Sequence, residues 1–553
     1  MHWPSKFSDE FYALPEAQRT SSIQNITTGI YAGPEPTGER LRDAYRYQTN
    51  VGLTRYIDGL MGASHQLKTG FENWFGWGSD GFGIYNDTRL RFRNNAAGVP
   101  QPAEIFAYNT PLTQRTKMKN IAAFVQDRIS YGKVTLNLGV RWSYYDGEMP
   151  EQTGGGGRWF PEQTYPKVKT PYNWNTLAPR TGIIFKMSDK DVVKVAYSRY
   201  YEVMYTGEFD AINQNIINTG GVATYTWLGD ANGNGKVDAG EYNPSPLSVF
   251  KPKQNSIDPN LKDPKNDEIM FAYQREVAAN VGFNAQVIQR WFADTTVDEN
   301  IGIPRGAYVA KTFPDPGPDN IVGTADDRTI TGYDVAPEYV GKDVFFHTNS
   351  PGKYQYTGVE LTVTRRMANR WQMMGSYTWS RLKGDLVSSA SPLGGDPNNP
   401  NSLINTNGRL SNDQPHAFKV IGSYLAPWGI TLGANYQALS GLPRDRRINL
   451  ALRQGSTTVL AEPRGTYRAD FMNLLSLRAD KSFRISGRRA LGLVVEMHNA
   501  LNSSAGQNSW GLTTQSFASQ AVFDSRRSTT SYFGRTQEIV APRIFKLGVR
   551  FAF

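Results

Sequence analysis

The sequence predicts an all-β chain, a transmembrane antiparallel β-barrel of the outer-membrane type with long loops on one side. Three observations predict it. In the last stretch, Phe545, Leu547, Val549, Phe551 and Phe553 alternate with Lys546, Gly548, Arg550 and Ala552. Side chains of a strand point to opposite faces in turn, so one face is apolar and the other polar or small. The closing strand of a barrel has this pattern and carries an aromatic at the membrane edge. Second, mean hydropathy is −0.50 although the chain contains 29 Tyr, 27 Phe and 12 Trp. No run of about 18 apolar residues is present, which excludes a helical span; a barrel needs none, because every second residue faces its lumen. Third, the connections alternate between short and long.

Taken in order, residues 1–44 read as a polar, Pro/Gly-rich N-terminal loop or partial barrel segment, with a short helix near Asp9–Arg19. Residues 45–553 read as the barrel. The start, Met1 to Lys6, has no basic region followed by an apolar one, so no signal peptide is expected within these residues. The expectation is a chain whose N-terminal part lies outside these residues.

From about Tyr45 strand pairs follow one another. Val134, Leu136, Leu138, Val140 and Trp142 alternate with Lys133, Thr135, Asn137, Gly139 and Arg141. Val359, Leu361 and Val363 stand opposite Glu360, Thr362, Thr364 and Arg366. Trp371, Met373, Gly375, Tyr377 and Trp379 alternate with Gln372, Met374, Ser376, Thr378 and Ser380. Ile430, Leu432, Ala434 and Tyr436 alternate with Thr431, Gly433, Asn435 and Gln437. Charge on one face of so many strands suits a polar lumen better than a solid core.

Short connections fall at 130–133, 188–190, 277–280, 367–370, 426–428 and 485–488. Long ones fall at 148–175, 205–265, 294–352, 383–412, 440–466 and 503–537. Short periplasmic turns and long outer loops are the outer-membrane pattern. The count is roughly 17 strands (16–18), each crossing with about 9–11 residues.

The formal net charge is +10. The aromatic-basic clustering of a nucleic-acid binder is missing, so no nucleic acid is expected. Outer-membrane lipid and lipopolysaccharide are the expected surroundings, anionic headgroups at the rim being one partner for the charge. With no cysteine, disulfides and thiolate chemistry are excluded.

The sharpest local motif is Asp230, Asn232, Asn234, Lys236, Asp238 and Glu241, with Gly235 between them. Oxygen-bearing side chains fall at positions 1, 3, 5, 9 and 12, Gly at 6, and Lys236 offers a carbonyl at 7. That is the spacing by which a hard cation collects oxygens around a tight turn. The flanks do not look helical, so the expectation is a structural Ca2+ loop outside an EF-hand; an ordinary Asn/Gly turn is the competing reading. A second acidic loop, Asp315, Asp319, Asp326 and Asp327, has looser spacing of the same kind. Both lie in long connections that hold little core, where calcium would stiffen them.

Other motifs fail. Gly233, Asn234, Gly235 and Lys236 are followed by Val237 where a phosphate loop needs Ser or Thr. Residues 154–157 are a glycine loop tip. His2, His65, His347, His416 and His498 show no metal or triad spacing. No nucleophile constellation appears, so the chain is not read as an enzyme.

Several segments in order resemble the barrel of a TonB-dependent receptor, specifically the Oar-like group. They are residues 120–128 (Asn120 to Arg128) followed by 136–142, then 177–182, 257–262 and 356–361, and the terminal 542–551. The resemblance runs from about residue 45 to the end. It implies about 22 strands around an N-terminal plug, with energy supplied by an inner-membrane TonB complex. The expectation for this sequence departs from that pattern: no plug, no N-terminal TonB-contacting segment and about five fewer strands within these residues. A contact with TonB would therefore pass through a region outside these residues.

The leading functional expectation is a receptor or transporter barrel that binds an extracellular ligand through its loops. A second is an adhesin or structural outer-membrane barrel with calcium-stiffened loops, and a third a soluble β-rich enzyme. Detergent dependence separates the third from the others. A plug-coding segment upstream separates the first from the second.

Overall fold

The computed structural model describes residues 2–5, 9–33, 39–205, 207, 213, 215, 222–249, 255–385, 395–487, 489–509 and 536–553. Fifteen long strands dominate it. They are β1 (Glu39–Leu60), β2 (Ala63–Gly83), β3 (Leu112–Tyr131), β4 (Val134–Met149), β5 (Trp174–Lys186), β6 (Asp191–Tyr201), β7 (Lys265–Ala278) and β8 (Val281–Ala293). There follow β9 (Tyr354–Ala368), β10 (Trp371–Asp385), β11 (His416–Leu425), β12 (Ile430–Leu439), β13 (Met472–Ser486), β14 (Arg489–His498) and β15 (Ile544–Ala552). Each pairs antiparallel with the next in one ladder from β1 to β15. Short strands, among them His2–Ser5, Gln152–Gly154 and Asn407–Arg409, bring this sheet to 20 strands. Among the described residues the expected count of roughly 17 thus falls between the fifteen long strands and the twenty of the whole sheet. Among the described residues no helix is long and apolar enough to cross a membrane; strands do the crossing.

Register explains why the alternating pattern gives two chemically distinct surfaces. One lateral row runs Leu136, Ile183, Val195, Phe271, Val287, Val359, Trp379 across seven strands. On the opposite face another row sets Trp74, Asn120, Tyr145 and Trp174 side by side. That second face is the inner one. Trp74, Asn120, Ala122 and Ser143 are buried on it, whereas Phe71 and Phe75 on the other face of β2 are nearly half exposed.

Most of the apolar core lies on the long-loop side. Trp74, Tyr145, Trp174, Met204, Ile257 and Leu261 pack together where connections fold over the inner wall. Leu90, Ile105, Trp227 and Val237 form the core of a separate six-stranded sheet. That sheet is built from strands Thr88–Asn94, Pro100–Ala107, Ala223–Trp227 and Tyr242–Val249, plus two from the N-terminal stretch. Ser22–Asn25 lies parallel on 89–92, and Tyr31–Ala32 pairs back on it. The region expected to be a polar loop or partial barrel segment therefore finds backbone partners in a loop sheet, which its polar composition did not disclose. Its expected helix appears as Asp9–Ala13 followed by a 3-10 turn at Glu16–Gln18, and the first long strand begins at Glu39, ahead of Tyr45.

The ladder has two ends. β15 registers only with β14, and β1 only with β2 and the four-residue strand His2–Ser5. Among the described residues no register joins β15 to β1. Exposure agrees: Leu547 is 79% and Val549 73% exposed, against 46% for Val287 in mid-sheet.

Candidate functional site in the loops and the inner wall

The Asp230–Glu241 loop connects two strands of the six-stranded sheet. Val237 anchors it, fully buried among Leu90, Ile105 and Trp227. Asp230 accepts the backbone N–H of Asn234 and Gly235 at 3.1 and 2.7 Å. Glu241 accepts those of Ala231 and Asp238, both at 2.8 Å. The side-chain amides of Asn232 and Asn234 donate to Asp238 Oδ2 at 2.7 and 2.8 Å, and these two bonds hold the Asp238 carboxyl below the usual range. The Asn234 side-chain oxygen takes the N–H of Lys236 at 2.8 Å. Gly235 has φ +67°, and a Cβ there would lie 2.3 Å from Thr20 Cγ2, so the turn admits no side chain. The motif's residues thus come together around one loop with their carboxylates met by amide protons. Among the described residues no three His, Cys, Asp or Glu side chains converge as a ready-made metal group.

The second acidic loop divides. Asp326 accepts from Thr324 Oγ1 at 2.7 Å and from the N–H of Asp319 at 3.3 Å. Asp327 accepts from Gly323 N–H at 2.6 Å. Asp315 does not join them, which corrects its place in the expected ligand set. Its carboxylate is buried and bound bidentately by Arg446, both contacts at 2.6 Å, with Arg328 Nε at 2.8 Å. Arg446 also donates from Nε to Glu462 at 2.8 Å, and Arg328 contacts Glu462 as well. The forked guanidinium suits two carboxylates. This clamp ties the hairpin 308–335 to the connection 440–466, beside a shared cluster of Ile330, Ile448, Leu450 and Val459. Sequence reasoning missed it, because Arg446 and Asp315 are 131 residues apart; the density of charge at Arg444, Asp445, Arg446 and Arg447 was the one hint.

The inner wall is lined with polar groups that hold one another across strands. Arg290 Nε meets Glu268 at 2.5 Å, Gln286 donates to Glu360, and Arg478 pairs with Glu496 and Asp480. Of the histidines, His65 and His347 each pair with one aspartate, Asp127 at 2.7 Å and Asp298 at 2.8 Å.

Long antiparallel strands, an apolar outer belt, a charged inner wall and alternating turns define an outer-membrane β-barrel. Residues 16–442, well over half of the chain, match the family model described as an outer membrane beta barrel domain, and the chain belongs to that family. It is 23% identical over 567 residues to the TonB-dependent transporter Oar of Myxococcus xanthus, covering 89% of this chain and 47% of that protein. The chain thus spans about half the length of this curated relative. Among solved structures, the outer membrane transporter YddB from Escherichia coli aligns with a TM-score of 0.55 at 15% identity, over 96% of this chain and 57% of that one. The siderophore receptor PiuA from Acinetobacter baumannii aligns with a TM-score of 0.51 at 12% identity, over 93% and 57%. These two likenesses concern the fold. The resemblance to Oar-like TonB-dependent receptors is borne out, and the protein is placed in the Gram-negative outer membrane. The relatives reported are transporters and receptors, not enzymes.

Proposed function

We propose that this chain is the barrel of a TonB-dependent receptor that binds an extracellular ligand and passes it through a polar lumen. The observation that carries the reading is the long-loop side, where connections fold into their own sheets and cores above a charged inner wall. Its similarity to the TonB-dependent transporter Oar of Myxococcus xanthus supports it. Contact with TonB is assigned to a region outside residues 1–553, and the test needs no known ligand. The whole gene product should co-purify with the periplasmic domain of TonB, and residues 1–553 alone should not. Failure of the whole product to bind would remove the receptor reading; equal binding by 1–553 would remove the proposed route.

The edges of β1 beyond residue 44 and of β15, which have no strand partner among the described residues, bear on the same reading. Unpaired backbone facing hydrocarbon costs several kcal/mol per group, as an order of magnitude. We propose that further strands complete the ladder between these edges. Residues 1–553 expressed alone are then expected to give no heat-modifiable, protease-resistant barrel, and an upstream segment should restore one. A native barrel from 1–553 alone would contradict this.

Calcium is proposed for the Asp230–Glu241 loop. Its donor set is all oxygen, and Asp230, Asp238 and Glu241 would repel one another without the amide protons that now neutralise them. Binding would turn the Asn232 and Asn234 side-chain oxygens toward the ion, and Lys236 would contribute its carbonyl. Extracellular sites of this kind bind with Kd of about 10⁻⁴–10⁻³ M. Glu241→Gln is expected to weaken binding most and Asp230→Asn next, read as faster proteolysis within 205–265 in millimolar calcium. If chelator leaves cleavage of the wild type unchanged, the loop is only a turn. The same assay covers the looser Asp319, Asp326 and Asp327 loop.

A further inference from the structure

We infer that the inner wall carries a subsite for an oxyanion, a carboxylate or phosphate group of a solute in the lumen, built where β2 to β5 meet. The register sets Lys68, Gln126, Gly139 and Arg180 in one lateral row on the inner face, with Arg141 in the next row. These residues line a hollow of about 320 Å³ in the wall. Gly139 forms its floor: a Cβ there would already lie 3.2 Å from Gln126 Cβ, and a larger side chain would fill the space.

The charges at this hollow are under-compensated. Among the described residues Lys68 and Arg180 have no ion-pair partner; each rests against an aromatic ring, Phe124 at 5.9 Å and Tyr200 at 4.8 Å. Arg141 donates to Glu72 at 3.0 Å, and Glu72 is shared with Arg46 at 4.0 Å. Asp127 also borders the hollow, but it lies on the opposite strand face and is held by His65 at 2.7 Å. Strands β2 and β5 are three spacings apart, roughly 14 Å. Lysine and arginine side chains can close much of that gap from either side, so the ligand is a polyanion able to meet both over Gly139. A hollow at a protein wall with an excess of positive charge on its inner face concentrates such solutes, and guanidinium groups bind oxyanions in forked geometry.

The proposal rests on the receptor reading, since the lumen must be a solute path. Its test does not, because binding in detergent micelles needs no TonB. The whole gene product is titrated calorimetrically at low ionic strength with inorganic pyrophosphate and, separately, with tricarballylate. Saturable binding of at least one is expected, and the preferred probe tells phosphate from carboxylate. The double variant Lys68→Gln/Arg180→Gln should weaken binding at least tenfold. Gly139→Leu, which keeps every charge, should weaken it at least fivefold. Lys546→Gln, a distant inner-wall cation paired with Glu496, should bind as wild type. No saturable binding, equal loss in the Lys546 variant, or a double variant like wild type overturns the subsite. So does unchanged binding by a folded Gly139→Leu. Should Gly139→Leu fail the heat-modifiability check, the double variant decides.

Discussion

Val287→Arg is expected to prevent the barrel from assembling in a bilayer, whereas Gln286→Arg one residue away should be tolerated. Val287 is the seventh of thirteen residues in β8 and stands between Phe271 and Val359 in the apolar belt. Arginine on the lipid face costs about 2–4 kcal/mol near the midplane. Gln286 points to the inner face and donates to Glu360, so a cation there gains a partner and should cost under about 1 kcal/mol. The readout is heat-modifiable mobility and the urea midpoint of the protein folded into vesicles. Leu547→Arg and Val549→Arg should behave like Val287→Arg, and Arg550→Ala like Gln286→Arg. Equal effects on both faces would overturn the assignment of inside and outside.

The second large effect is expected at the loop clamp. Arg446→Met leaves the buried Asp315 and Glu462 with one cation, Arg328, between them. Removing one partner of a buried pair costs about 3–5 kcal/mol, while replacing both by apolar groups can be close to neutral. Hydrogen exchange within 308–335 and 447–460 should rise sharply in Arg446→Met, and Arg446→Met/Asp315→Leu should recover most of the protection. Burial pushes the Asp315 carboxyl up, but the bonds from Arg446 and Arg328 outweigh it and hold the group below its ordinary value. A depressed acid contributes stability above its unfolded pKa of about 3.9, and loses it as pH falls through the native value. Protection of the hairpin should therefore be flat from about pH 8 to 5 and fall below about pH 4. A fall already near neutrality would mean that another group governs the clamp.

The fold was legible because period-two alternation and turn chemistry are local. The short turns expected at 130–133, 277–280 and 367–370 separate consecutive long strands, with Gly132, Asn280, Asn369 and Arg370 at positive φ. What alternation cannot tell is which layer a strand joins. Leu90 and Ile105 sit in a hairpin patterned much like a membrane-crossing pair, yet they form the core of the loop sheet. The N-terminal stretch was obscure for a similar reason, since its partners at 89–92 lie far along the chain. The 230–241 motif was legible as a spacing. Asp315 looked like one of its kind until the fold brought Arg446 to it, and the row Lys68, Gln126, Gly139, Arg180 exists only once three registers are known.

The unequal strand lengths bear on how a solute arrives. β1, β2 and β3 run for 22, 21 and 20 residues, while β11, β12 and β14 have ten each and β15 nine. At about 3.4 Å per residue and a tilt near 40°, 22 residues rise roughly 55 Å and ten roughly 26 Å. With the short turns at a common level, the wall strands of one flank reach roughly 30 Å above those of the other, where folded connections such as 440–466 take over from the sheet. On the receptor reading proposed above, the rim of the sheet is slanted, and a diffusing solute meets the tall flank as a backstop and the low flank as a sill. Capture should be directional: bulky lipopolysaccharide sugars crowding the low flank would slow entry far more than the same sugars behind the tall flank.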